Sequence, residues 1–217
     1  MKGDRLGASV LAVKMIPNVD AAMAEKLGMP KGWKSLGILT ADADDVTYCA
    51  LDEATKNSEV VVTLGKSFYG GAANANSKLA GEVIGMIAGP SPAEVRSGLN
   101  VTIDCIENEF AFISANEDDS IAYFAQCVSR TGSFLANMAG IKEGEPLAYL
   151  IAPPLEAMYG LDAALKAADV TLCQLFEPPS ETNFGGALLT GTQSACKAAC
   201  DAFADAVKFV AENPKHF

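Results

Sequence analysis

Histidine is almost missing from this chain: its one copy, His216, is the penultimate residue of 217. Serine–histidine, cysteine–histidine and multi-histidine metal chemistry lose their usual base or ligand, because a chain end is a poor place for a precise catalytic group. The six cysteines contain no C-x-x-C pair, which leaves a zinc ribbon or a thioredoxin-type centre without support. No uncharged apolar run approaches the ~18 residues a bilayer span requires. The opening MKGDRLGASV has no apolar core of the signal-peptide kind, so a cytoplasmic chain is expected. Basic residues are scarce, 16 against 27 acidic, and the formal charge is -11. That sign repels phosphate backbones and anionic lipid, which excludes nucleic acid and membrane surfaces as partners and leaves amine, cationic or neutral ligands.

What is present is apolar. Half of the residues are hydrophobic, only 20% are charged, and the mean hydropathy is +0.19. A chain of this length can bury a sizeable core in one large domain or two small ones. This much apolar surface also suits burial against further copies of itself. Cys196 and Cys200 lie four apart on one helix face. They read either as small buried hydrophobes in a reducing compartment or as a redox or metal pair.

The sequence repeats itself. LDEATKNSEV from Leu51 and LDAALKAADV from Leu161 share five identities at an offset of 110: Leu51/Leu161, Asp52/Asp162, Ala54/Ala164, Lys56/Lys166 and Val60/Val170. LGMPKG from Leu27 matches AGIKEG from Ala139, and LGILTA from Leu36 matches LAYLIA from Leu147. GPSPAEVRSGL from Gly89 matches GTQSACKAACD from Gly191. Four matches in one order indicate a tandem duplication of a unit of about 105 residues, with domains expected over 1–113 and 114–217. Within the first unit, alternation and β-branched runs predict strands over 9–16, 35–40, 59–64 and 82–88. Helices are expected over 19–27 and 50–57 and from Pro92 onward. Ser91, Pro92 and Glu94 form a capping-box start, followed by an apolar stripe of Val95, Leu99, Ile103 and Ile106. The counterpart helix over 192–212 carries Ala195, Ala199, Phe203, Ala206 and Val210. Each unit thus reads as an α/β sandwich, with helices on a mixed or antiparallel sheet.

The D-x-A-x-K-A-A-x-V stretch at 162–170 resembles the helix signature of bacterial microcompartment shell domains, and 52–60 is a looser copy. Across essentially the whole chain, SLGILTADADDVTY, DEATK, AGEV, GPSPAE, SRTG, LAYLIAPPLEAMYG, DAALKAADV, PPSETN and LTGTQSACKAAC resemble the shell proteins of ethanolamine-utilisation microcompartments. The order of elements resembles the tandem, circularly permuted class of these proteins. The resemblance implies a homotrimer that imitates a hexamer and tiles edge to edge with other shell proteins. It implies a lattice-edge role for Lys166 and, more loosely, Lys56. A solvated helix face is the alternative for both.

The resemblance further implies a small pore in each subunit that binds ethanolamine. Asp44, Asp45 and Glu82 would be the carboxylate acceptors, Phe112 an apolar wall, and Thr182 a hydroxyl or backbone contact. Asp42 stands outside that set. Taken without the resemblance, ADADD is a solvated turn after a strand, Glu82 a strand residue facing water, and Phe112 a core residue. The loops over 67–81 and 177–186 would border a central pore, with Phe68, Tyr69, Gly70 and Gly71 in its gate. An ordinary surface loop is the alternative. No catalytic residue, metal or resident cofactor is expected, with ethanolamine as pore ligand. Cobalamin could meet the disc because the pathway uses it, although D-x-H-x-x-G is absent. Three function classes therefore stand: a shell and pore protein, a carrier or sensor of amine or cobalamin, and an enzyme of the same pathway.

Overall fold

The computed structural model describes residues 1–68, 77–178, 180 and 183–215. The chain forms two compact units. The N-terminal unit comprises Gly7–Phe110 with Gly132–Leu135, and the C-terminal unit comprises Met1–Leu6, Ala111–Thr131 and Ala136–Phe217.

In the N-terminal unit, β2 (Val10–Ile16), β3 (Ser35–Ala41), β4 (Val61–Ser67) and β5 (Val83–Gly89) form an antiparallel sheet in the order β2-β3-β5-β4. Side chains alternate across it. Helices α2 (Asp44–Asn57) and α3 (Pro92–Asp104) cover one face. Leu36, Ile38, Met86 and Ala88 look the other way, toward Ala24 and Leu27 of the α1 region (Ala21–Lys26) and Trp33. Ser91 caps α3 as expected, its hydroxyl accepting from the Glu94 amide at 3.3 Å. The capping box is only half made, because the Glu94 carboxylate takes the Glu59 amide at 2.8 Å instead. A π-turn, Cys105–Glu109, follows α3. Val95, Leu99 and Ile106 are buried, while Ile103, which lies off their stripe at about 3.6 residues per turn, is only half-buried.

In the C-terminal unit the strands are β1 (Arg5–Leu6), β6 (Phe112–Ser114), β7 (Ala122–Val128), β8 (Leu147–Ala152), β9 (Val170–Phe176) and β10 (Gly185–Gly191). A short helix α4 (Ser133–Ala139), ahead of β8 in the chain, begins in the N-terminal unit and ends in the C-terminal one. The strands are ordered β1-β6-β7-β8-β10-β9, again antiparallel throughout. Helices α5 (Pro154–Ala167) and α6 (Gln193–Glu212) pack on one face. Their core joins Leu161 and Ala164 to Cys196, Ala199, Cys200, Phe203 and Val207. Both cysteines of the C-x-x-x-C pair therefore face the core as small apolar groups. The other face carries Phe124 and Tyr149, each 1% exposed, with their rings edge-to-face at 5.6 Å.

The sheet β7-β8-β10-β9 repeats the order β2-β3-β5-β4. The turns repeat too: Gly28 and Gly140 have φ of +64° and +66°, and Gly32 and Gly144 have +87° and +92°. Among the described residues no helix is long and apolar enough to cross a membrane.

Candidate functional site

The acidic cluster is not a solvated turn. α2 begins six residues earlier than the sequence pattern suggests, so Asp44 and Asp45 occupy its first turn and are 8% and 5% exposed. Ala43 at the N-cap contributes no side-chain bond. Two carboxylates in that turn meet the partial positive charge of the helix start. Asp44 is held from two sides. Its Oδ1 accepts from the Asp45 amide at 2.9 Å, and its Oδ2 accepts from the Ser67 hydroxyl at 2.8 Å. Tyr48, one turn along α2, is hydrogen-bonded to the same Ser67 hydroxyl. Burial, reinforced by the charges of Asp44 and Asp45, pushes the Tyr48 phenol up to about 12.

Glu82 reaches this cluster through the backbone. Gly81 adopts φ +65°, and a Cβ there would lie 2.1 Å from the Ala41 carbonyl oxygen, so only glycine fits. The turn lets the Glu82 amide donate to that same carbonyl at 2.9 Å. Glu82 then stands exposed at the rim, with its carboxyl raised above the usual range by partial desolvation and by the charges of Asp44 and Asp42. Asp42 serves the fold: its Oδ1 accepts from the Ser9 amide at 2.7 Å and joins β3 to the start of β2. Asp42, Asp44 and Glu82 thus share one end of the N-terminal sheet, with Asp45 beside Asp44 in the first turn of α2. No group of three or more metal-ligating side chains occurs among the described residues.

Of the other expected site residues, Phe112 and Phe68 belong to different units. Phe112 lies in the C-terminal unit, its ring 5.4 Å from Phe124 and 6.1 Å from Phe184. Phe68 is half-buried, and its amide donates to the Glu82 carbonyl at 3.0 Å. Thr182, Tyr69, Gly70 and Gly71 lie outside the described residues, as does His216.

The repeat lysines have opposite surroundings. The Lys56 side chain is 11% exposed and lies between Asp52, at 3.7 Å, and Glu53. Asp52, 1% exposed, accepts from the amides of Gly132 at 2.7 Å and Leu135 at 2.8 Å. The Lys166 side chain is 74% exposed and pairs with Asp162 on its own helix, at 2.6 Å.

Two features escape sequence reasoning. One is the Ser67–Tyr48 pair behind Asp44. The other is a cavity of about 760 Å³ along the α1 region, lined by Val19, Ala21, Ala24, Met29, Trp33 and neighbours. The acidic cluster does not line this cavity, and the convergence of carboxylates, not the larger hollow, marks the candidate site.

No protein-family model matches the chain. Its relatives are nevertheless plain. It is 68% identical to the bacterial microcompartment shell protein EutL of Clostridium perfringens, with both chains covered over their full length. It is 73% identical to the crystal structure of the ethanolamine utilization protein EutL from Leptotrichia buccalis, with a TM-score of 0.97 and full coverage of both chains. A trimeric microcompartment shell protein, PduB, shares the fold with a TM-score of 0.75 at 21% identity, covering 99% of this chain and 95% of that one.

Proposed function

The chain belongs to the EutL family of bacterial microcompartment shell proteins, and from that premise we propose that it acts as a homotrimeric tile of the ethanolamine-utilisation shell, with a binding site for the substrate's ammonium group in each N-terminal unit. The relatives are shell proteins and not enzymes, and the enzyme reading falls with that finding.

One observation carries the trimer. The α2 face is covered within its own unit by Gly132–Leu135: the Tyr48 ring meets the Phe134 ring at 6.0 Å, and Asp52 and Thr55 take backbone amides of the segment. On α5 the repeat places Met158 at the position of Tyr48, Asp162 at that of Asp52 and Leu165 at that of Thr55. There Leu155, Met158, Tyr159 and Leu165 are 62%, 40%, 51% and 36% exposed. The repeat match between residues 139–144 and 27–32 makes the α1 region, with Met23 39% exposed, the counterpart of the covering segment. A second copy of the chain can therefore present its α1 region to α5. The contact is head-to-tail, so it forms a ring when the rotation closes. Sedimentation of the wild-type chain should give three times the 22.6 kDa chain mass. Met158→Glu with Leu165→Glu should give folded monomer. A wild-type monomer that turns over ethanolamine would sink the proposal.

The ammonium site is supported by the carboxylates. An ammonium group leaving water needs charged acceptors to replace its hydration. Asp44, Asp45 and Glu82 supply them, two buried and one at the rim. Calorimetric titration with ethanolamine should show binding that Asp45→Asn abolishes. Lys166 is the lattice-edge lysine of the proposal, and the enclosed Lys56 is not. Cobalamin is a second ligand to try, and a flat spectroscopic titration removes it.

A further inference from the structure

We propose that Tyr48 and Ser67 are positioning residues of the ammonium site: an oriented pair of hydroxyls that fixes the Asp44 carboxylate from behind while leaving its charge free for an incoming cation. This rests on the acidic-cluster reading given above and extends it to residues that do not touch the ligand.

The direction of the chain is forced by counting protons. Ser67 has one hydroxyl proton, and it is donated to Asp44 Oδ2 at 2.8 Å. In its bond with Tyr48, Ser67 must therefore accept, so the phenol donates. The order runs from Tyr48 to Ser67 to Asp44. A phenol pushed up to about 12 keeps its proton at neutral pH.

Packing immobilises the donor end. The Phe134 ring lies 6.0 Å from the Tyr48 ring at 58°. Gly65 makes room for the pair, because a Cβ there would approach the Phe134 ring tip to 2.8 Å and the Tyr48 ring to 3.4 Å. The acceptor end is fixed by secondary structure: Ser67 closes β4 and Asp44 opens α2. Asp44 cannot swing into solvent without breaking both bonds.

The contrast with Asp52 shows what this arrangement achieves. Both are buried aspartates of α2. Asp52 has the Lys56 ammonium at 3.7 Å, so its charge is already answered. Asp44 is held by an amide and a hydroxyl, both neutral. Each of its oxygens accepts one such bond and keeps a lone pair for an N–H of the ligand. A carboxylate held in place before binding costs the complex less ordering entropy.

The test is calorimetric titration at neutral pH with ethanolamine, and with methylammonium as a probe lacking the alcohol. Tyr48→Phe and Ser67→Ala should each weaken both ligands about tenfold. Ser67→Thr, which keeps the hydroxyl, should bind as the wild type does. Unchanged melting of Tyr48→Phe separates positioning from folding. Wild-type binding that Tyr48→Phe and Ser67→Ala leave unaltered in strength overturns the relay alone. Absence of ammonium binding by the wild type overturns the site, and the relay with it.

Discussion

Asp52 accepts the backbone amide of Gly132 at 2.7 Å, a bond that spans 80 residues of sequence and lies inside the N-terminal unit. The same carboxylate takes the Leu135 amide at 2.8 Å. Burial raises the Asp52 carboxyl, while the two amides and Lys56 pull it down without cancelling that rise. Asp52→Ala strands two buried amides and the Lys56 charge. It should cost about 2–4 kcal/mol, read as a lowered urea midpoint at unchanged slope. A midpoint within experimental scatter of wild type would show that water replaces the carboxylate.

Ethanolamine affinity should fall on acidification earlier than an ordinary glutamate predicts. Desolvation, with Asp44 and Asp42, raises the Glu82 carboxyl above 4.5. A carboxyl raised on folding binds its proton more tightly in the folded chain. Its stabilising contribution is therefore complete below the unfolded value and is lost as pH rises through the folded one. Cation binding runs the other way, since it needs the ionised form. Glu82→Gln should weaken binding at pH 7 and flatten the acid limb, while leaving stability at pH 7 equal to wild type or slightly higher. Those readings come from calorimetry and from melting in parallel.

Gly81→Ala should damage the fold and the site together. The added Cβ meets the Ala41 carbonyl oxygen at 2.1 Å in a left-handed backbone conformation. Relief requires opening the turn that sets Glu82, at a cost of about 2–4 kcal/mol. Thermal melting reads the first effect and ethanolamine titration the second. Gly140→Ala has left-handed backbone but open space around it, so it should cost about 1 kcal/mol and leave binding intact.

Thiol reactivity should sort by burial. Cys196 is pushed up to about 11 and Cys105 to about 12, and Cys49 and Cys200 are raised as well, all mainly through burial. Cys127 and Cys173 are half-buried, and Cys127 lines an open pocket of about 490 Å³ beside Lys197. A chromogenic disulfide at pH 8 should react with no more than these two of the six thiols, slowly, and with all six in urea. Rapid labelling of Cys49 or Cys200 in the folded chain would contradict the packing.

Much of this is legible in the letters. The repeat, the α3 cap at Ser91 and the inward face of α6 follow from periodicity and capping chemistry. The start of α2 does not, because Ala43 offers no capping side chain and the first turn is polar, which imitates a loop. Asp52 and Asp162 carry the same letter in the same motif, yet one is enclosed and the other open. The difference lies in Gly132–Leu135, a partner remote in sequence. The Ser67–Asp44 bond, 23 residues apart, is invisible to any short-range pattern for the same reason. Glu94 leaves the capping box that its spacing suggests because its real partner, the Glu59 amide, comes from outside α3.

The unequal settings of Lys56 and Lys166 have a consequence for paving. A ring of six identical subunits cannot alter one side without altering every side. A chain that carries the module twice escapes this constraint, since each copy can be edited alone. Here one lysine has been drawn inward and its twin left facing out. In the three-chain ring proposed above, the rim would then alternate between two chemistries, and neighbouring tiles would meet in preferred orientations and not in all six.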